Sequence, residues 1–63
     1  MRYAVYFTWN DGQEDSFNCE NAKERDLNIR DMLKSNNFRY IAYERIYKSG
    51  EYGKRIVVLD YEA

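Results

Sequence analysis

Tyrosine and arginine side chains recur at alternate positions in two strand-like stretches of the sequence. If the two strands pair in the simplest register, these side chains share one face of a sheet. Aromatic and guanidinium groups together are typical of protein interfaces, and they also stack on bases and contact phosphates in single-stranded nucleic acids. The structural alternative is that the tyrosines only cover a thin sheet, with their hydroxyl groups in water. The predicted partner-binding residues on this face are Tyr6, Arg39, Tyr43, Arg45 and Tyr47.

Two glycines with the spacing Gly50-x-x-Gly53 lie among basic residues. In KH domains a loop of this spacing clamps a nucleic-acid backbone, and Lys48, Lys54 and Arg55 are the candidate phosphate-contacting residues here. The KH loop joins two helices, whereas this loop joins two strand-like runs and contains an acidic residue. A plain hairpin loop is therefore the favoured interpretation, and phosphate contact is the alternative.

The residue types on which most catalytic sites depend are missing or isolated. The chain has no histidine, which removes the commonest general base and the usual partner of a nucleophilic serine or cysteine. Cys19 precedes a predicted helix N-terminus, which could lower its pKa, but the adjacent Glu20 opposes this. The favoured interpretation of Cys19 is a small buried hydrophobic residue on the second strand. The acidic residues Asp11, Glu14 and Asp15 lack the spacing of a calcium loop. We therefore predict no catalytic, cofactor or metal site and no enzyme activity.

Length and composition favour one small domain that spans residues 1–63. Ten basic and eleven acidic residues leave a net charge of −1, which is not the basic footprint of a dedicated DNA-binding protein. A single cysteine excludes an intramolecular disulfide, although such bridges are common in small secreted domains. The sequence shows neither a signal-peptide pattern nor an apolar run of about 20 residues that could span a membrane. We therefore expect a cytoplasmic protein with no membrane contact.

The first nineteen residues have the pattern of a β-hairpin. Residues 2–9 alternate with a period of two and are rich in aromatic and β-branched types, which predicts a strand. Asn10-Asp11-Gly12 is a strong signal for a tight turn. Residues 13–19 continue as a more polar strand, which suits the edge of a sheet.

A helix is predicted over residues 22–35. Asn21 is a good N-cap, and Glu24 three residues later completes a variant of the capping box. An asparagine after Ser35 is a plausible C-cap in the left-handed conformation. At 100° per residue, Ile29 and Leu33 fall on one side of this helix and should face the sheet.

Leu27 lies on the opposite side of the predicted helix from Ile29. A singly exposed leucine is the simple interpretation and needs no special explanation. Contact with another chain is the alternative, so Leu27 is included among the predicted partner-binding residues.

The last part of the chain predicts a second hairpin, with strands over residues 38–48 and 52–61. The continuous aliphatic run from Ile56 to Leu59 is typical of a central strand that is covered on both faces. The order ββαββ then predicts an α+β fold: a four-stranded, mainly antiparallel sheet with one helix packed on one face. The residues expected to be mostly buried are Val5, Phe7, Phe17, Ile29, Leu33 and Ile56.

One short helix cannot cover both faces of four strands. Apolar residues at adjacent positions of the last two strands, among them Tyr43, Tyr47, Val57 and Leu59, therefore need a second cover. A second copy of the chain could supply it, because two-fold homodimers are the commonest oligomers. We expect a homodimer formed through the helix-free face, with another protein as a further possible partner.

These observations favour a non-enzymatic binding protein of regulatory or inhibitor-like type. Small accessory proteins of phages and mobile elements have this character. The alternative is a module that binds nucleic acid or a nucleotide through tyrosine, arginine and lysine side chains on the helix-free face. The two candidate functions predict a different salt dependence of binding affinity. Binding through phosphate contacts releases counterions and weakens steeply as salt rises.

Overall fold

A computed structural model describes residues 1–61 as one antiparallel sheet with a helix on one face. The strands are β1 (Arg2–Trp9), β2 (Glu14–Cys19), β3 (Phe38–Ile46) and β4 (Ile56–Asp60), and the helix α1 spans Ala22–Ser35. The spatial order is β2-β1-β3-β4, and all three neighbouring pairs are antiparallel. The predicted α+β fold with ββαββ order is confirmed.

Local signals place the ends of β1 and of the helix as predicted. Gly12 has φ of 95°, and its N–H donates to Trp9 O at 2.9 Å in the turn between β1 and β2. The side chain of Asn21 accepts a hydrogen bond from Glu24 N–H at 2.8 Å, which caps the helix N-terminus. Asn36 ends the helix in the left-handed conformation, with φ of 57°.

The connection between β3 and β4 is a hairpin loop, as the favoured interpretation of the glycine spacing predicts. Tyr47 and Glu51 close the turn with a backbone hydrogen bond of 2.9 Å, and Gly50 has φ of 90°. Gly53 N–H donates to Arg45 O at 2.8 Å, so the loop stays close to the end of β3.

The core lies between α1 and the helix side of the sheet. Its buried members are Val5, Phe7, Cys19, Ile29, Phe38 and Ile41. At one end Phe7 contacts the rings of Trp9, Phe17 and Phe38, so rings make up much of this small core. The predicted burial of Val5, Phe7 and Ile29 is correct.

Two of the predicted core residues are exposed. Leu33 is 41% exposed and Ile56 is 42% exposed, so both predictions are wrong. The helix packs on β1, β2 and β3, and no Cα atom of α1 lies within 8 Å of a Cα atom of β4. A helix is about 10–12 Å wide and adjacent strands are about 4.8 Å apart, so one helix leaves an outer strand without cover.

Candidate functional site

The outer strand β4 exposes apolar side chains along one edge of the sheet. β4 is an outer strand of the sheet, whereas its aliphatic run predicts a central strand, so that prediction is wrong. Three consecutive aliphatic residues are exposed: Ile56 at 42%, Val57 at 49% and Val58 at 38%. We call these three residues the β4 edge.

The other outer strand has a different character. β2 carries Glu14 and Asp15 at its start, and most of its residues are exposed and polar. Charged and polar residues on an edge strand oppose pairing with another chain, and the predicted edge position of β2 is confirmed. The sheet therefore has one protected edge and one apolar edge.

The structure divides the predicted partner-binding residues between the two faces of the sheet. In the register of β1 with β3, Val5 lies opposite Tyr43 and Tyr6 lies opposite Ala42. Residues directly opposite each other in an antiparallel pair point to the same face, so Tyr43 faces α1 with Val5, and Tyr6 faces away from it. The predicted placement of Tyr6 and Tyr43 on one face is wrong, because a one-residue change of register moves every side chain to the other face.

Tyr43 is held beneath the helix by Arg25. The guanidinium carbon of Arg25 lies 4.4 Å from the ring centroid of Tyr43 and 4.5 Å from that of Tyr3, within the range of cation–π attraction. Burial lowers the pKa of Arg25, but its hydrogen bond to Asp26 and its electrostatic interactions with Tyr43 and Asp26 leave it raised overall. Tyr43 is therefore part of the helix–sheet contact. No local sequence pattern marks Arg25 for this role, because its two partners come from distant strands.

The helix-free face carries a layer of polar and aromatic side chains. Arg55 lies over the Tyr6 ring at 4.4 Å, its Nε donates to Glu44 Oε2 at 2.8 Å, and its Nη1 lies 3.4 Å from the Tyr40 hydroxyl. The Tyr6 hydroxyl donates to Glu44 Oε1 at 3.3 Å. Burial, followed by the charge of Glu44, raises the pKa of Tyr6.

Small residues lie under this layer. Ala4, Thr8 and Ala42 are all buried although they point away from the helix. The layer therefore covers the central strands on this face, whereas Tyr43 and Leu59, which were expected to need a second cover, pack against the core on the helix side. Arg55, a predicted phosphate-contacting residue, belongs to this layer and forms an ion pair with Glu44 of the same chain.

Three of the residues predicted to bind a partner or phosphate meet at the end of the sheet near the β3–β4 loop: Arg45, Tyr47 and Lys48. Arg45 lies 4.8 Å from the ring centroid of Tyr47, and both line an open cleft of about 780 Å³ with Lys48. The rest of its lining is Met1, Arg2, Ile46 and Gly50. The cleft combines basic side chains with an aromatic ring, a composition that suits an anion or a base.

The remaining predicted residues lie apart from this cleft. Arg39 lies at the register irregularity between Thr8 and Trp9, and its guanidinium is beside Gly12. Leu27 is 43% exposed on the helix, as expected from its position. Lys54 is exposed just before β4. The predicted set is thus not one continuous site.

Cys19 is fully buried beside the helix. Burial, followed by the charge of Glu24, raises the pKa of its thiol, which keeps it protonated and poorly nucleophilic. The first turn of the helix therefore does not activate it. Within residues 1–61 no group of three or more acidic or cysteine side chains could hold a metal ion, and the helix is not long and apolar enough to cross a membrane.

No protein-family model, curated protein or solved structure matches this chain, so the geometry of the β4 edge and of the cleft carries the functional argument.

Proposed function

We propose that this protein is a non-enzymatic binding module of regulatory or inhibitor-like type, and that it binds a polypeptide along the β4 edge. The observation that carries the proposal is the exposure of Ile56, Val57 and Val58 on an outer strand. An outer strand presents a row of backbone N–H and C=O groups that another strand can pair with, and side chains add specificity.

The remaining geometry supports binding rather than catalysis. The buried thiol of Cys19 has a raised pKa, and the carboxylate of Glu44 is already engaged by Arg55 and Tyr6. In contrast, replacing a residue of the β4 edge removes few contacts of the core, because these side chains are 38–49% exposed. This surface can therefore be altered without unfolding the protein.

The test is affinity capture from the native host with three baits: wild type, Val57→Lys and the matched control Asn18→Lys. Asn18 is exposed on the protected edge strand β2, so the control makes the same change of charge at the opposite edge. We expect wild type and the control to retain the same protein at low and high salt, and Val57→Lys to lose it. Capture that is equal for all three baits, with each shown to be folded by circular dichroism, would contradict the proposal.

The cleft beside Tyr47 favours a second candidate function, the binding of nucleic acid or a nucleotide. Arg2, Arg45 and Lys48 contribute three basic groups to its lining. The probe is a fluorescent single-stranded oligonucleotide, titrated at several salt concentrations. This function predicts an affinity that falls steeply with salt and that weakens in Lys48→Glu but not in Lys23→Glu, a control on the exposed side of the helix.

A further inference from the structure

Charges of opposite sign flank the β4 edge. Lys54 and Arg55 precede the strand and Asp60 ends it. Parallel pairing of two such strands would bring like charges together, whereas antiparallel pairing brings each basic end to an acidic end. Opposite charges across two strands stabilise their pairing and like charges oppose it.

We propose that β4 pairs in antiparallel orientation with β4 of a second copy of this chain, about a two-fold axis at Val57. The two sheets then form one continuous sheet of eight strands. The proposal rests on the proposed function, because it names the occupant of the β4 edge. A two-fold arrangement requires that the surface be complementary to itself, and the charges at the two ends of β4 meet that requirement.

The proposed register follows from the sequence of the strand. With Val57 opposite Val57 of the second copy, Ile56 lies opposite Val58 and Lys54 lies opposite Asp60. Apolar residues thus meet in the middle and opposite charges meet at both ends. Asp60 also makes an interaction within its own chain, and a carboxylate has two acceptor oxygens, so it can still accept a hydrogen bond from Lys54 of the second copy.

The same pairing is disfavoured at the other edge of the sheet. β2 begins with Glu14 and Asp15, and Glu20 follows its last residue. Antiparallel pairing of two β2 strands would therefore bring acidic residues against acidic residues at both ends. The charge pattern selects β4 over β2 for contact between two copies.

The expected association is reversible. A pairing of two five-residue strands buries less surface than most stable dimers do, and the Arg55 guanidinium stays engaged with Glu44. We therefore expect monomer and dimer to exchange with protein concentration. The monomer leaves the β4 edge accessible to another polypeptide, so self-pairing and partner binding compete for the same strand.

The experiment measures the dimer dissociation constant by analytical ultracentrifugation over a hundredfold range of concentration. We expect wild type to move from monomer to dimer, and Lys54→Glu or Asp60→Lys to weaken the dimer by about tenfold, since each makes two repulsive pairs per dimer. The double variant Lys54→Glu/Asp60→Lys restores opposite charges at both ends and should recover the affinity of wild type. Lys23→Glu is the control for the change in net charge.

Two outcomes would overturn the inference. One is a wild-type protein that stays monomeric at every concentration. The other is a dimer whose dissociation constant is the same in both single variants and in wild type. Neither result affects the capture experiment with Val57→Lys, so failure of self-pairing can be distinguished from failure of the proposed function.

Discussion

Arg25 of the helix lies over the ring of Tyr43 on β3, with its guanidinium carbon 4.4 Å from the ring centroid. The same guanidinium lies 4.5 Å from the ring of Tyr3 on β1, and the two rings meet edge to face at 6.0 Å. One side chain from α1 therefore joins the two central strands on the helix side. The Arg25 side chain is only 16% exposed, so water screens this contact weakly.

We predict that Arg25→Ala lowers the free energy of unfolding by about 1–2 kcal/mol, because it removes a partly desolvated cation–π contact and the packing of the arginine stem. Arg25→Lys should recover part of the loss, since lysine keeps the charge but not the planar group that stacks on a ring. The measurement is urea denaturation followed by circular dichroism. Arg30→Ala on the exposed side of the helix is the control, and an equal effect of both alanine variants would contradict this role of Arg25.

Ile29 and Leu33 lie one helical turn apart but differ in burial, at 7% and 41% exposure. We predict that Ile29→Ala costs about 2–5 kcal/mol, from lost transfer energy and a residual cavity. Leu33→Ala should cost about 1 kcal/mol or less, because much of its side chain already contacts water. Denaturant midpoints at low protein concentration compare the two variants, and equal losses would show that Leu33 packs against the sheet as closely as Ile29 does.

Cys19 should react slowly with thiol reagents in the folded protein. Its side chain is fully buried, and burial raises the pKa of the thiol, so both access and thiolate content are low. The rate of labelling should increase strongly in denaturant. Labelling under native conditions at the rate of the unfolded chain would place Cys19 at the surface and restore it as a candidate nucleophile.

Tyr6 should make stability depend on pH in the alkaline range. Burial, then the charge of Glu44, raises its pKa in the folded state, so the folded protein holds the phenolic proton more tightly than the unfolded chain does. This contribution to stability is complete below the unfolded pKa of about 10, and it is lost as pH rises through the higher folded value.

The free energy of unfolding, measured by denaturation between neutral pH and pH of about 11, should therefore fall more steeply for wild type than for Tyr6→Phe. Tyr61→Phe is the matched control, because Tyr61 is 74% exposed and outside the polar layer on the helix-free face. Identical slopes for wild type and Tyr6→Phe would show that the Tyr6 hydroxyl does not contribute to the pH dependence.

Local patterns in the sequence determined the elements of this protein. The alternation of residues 2–9, the turn at Gly12 and the caps Asn21 and Asn36 all occur where they were predicted. Each of these features depends on neighbours within a few residues, through side-chain periodicity, backbone conformation or a capping hydrogen bond. The order ββαββ follows from them directly.

Only the tertiary structure decided which residues share a face and which strand lacks a cover. Tyr6 and Tyr43 are on opposite faces because the register of β1 with β3 pairs Tyr6 with Ala42, and both faces carry enough apolar bulk that the pattern does not select one register. Likewise, the run from Ile56 to Leu59 is typical of a central strand, yet β4 is an outer strand. Its exposure depends on the strand order and on the helix packing over β1, β2 and β3, which are contacts between residues far apart in the chain.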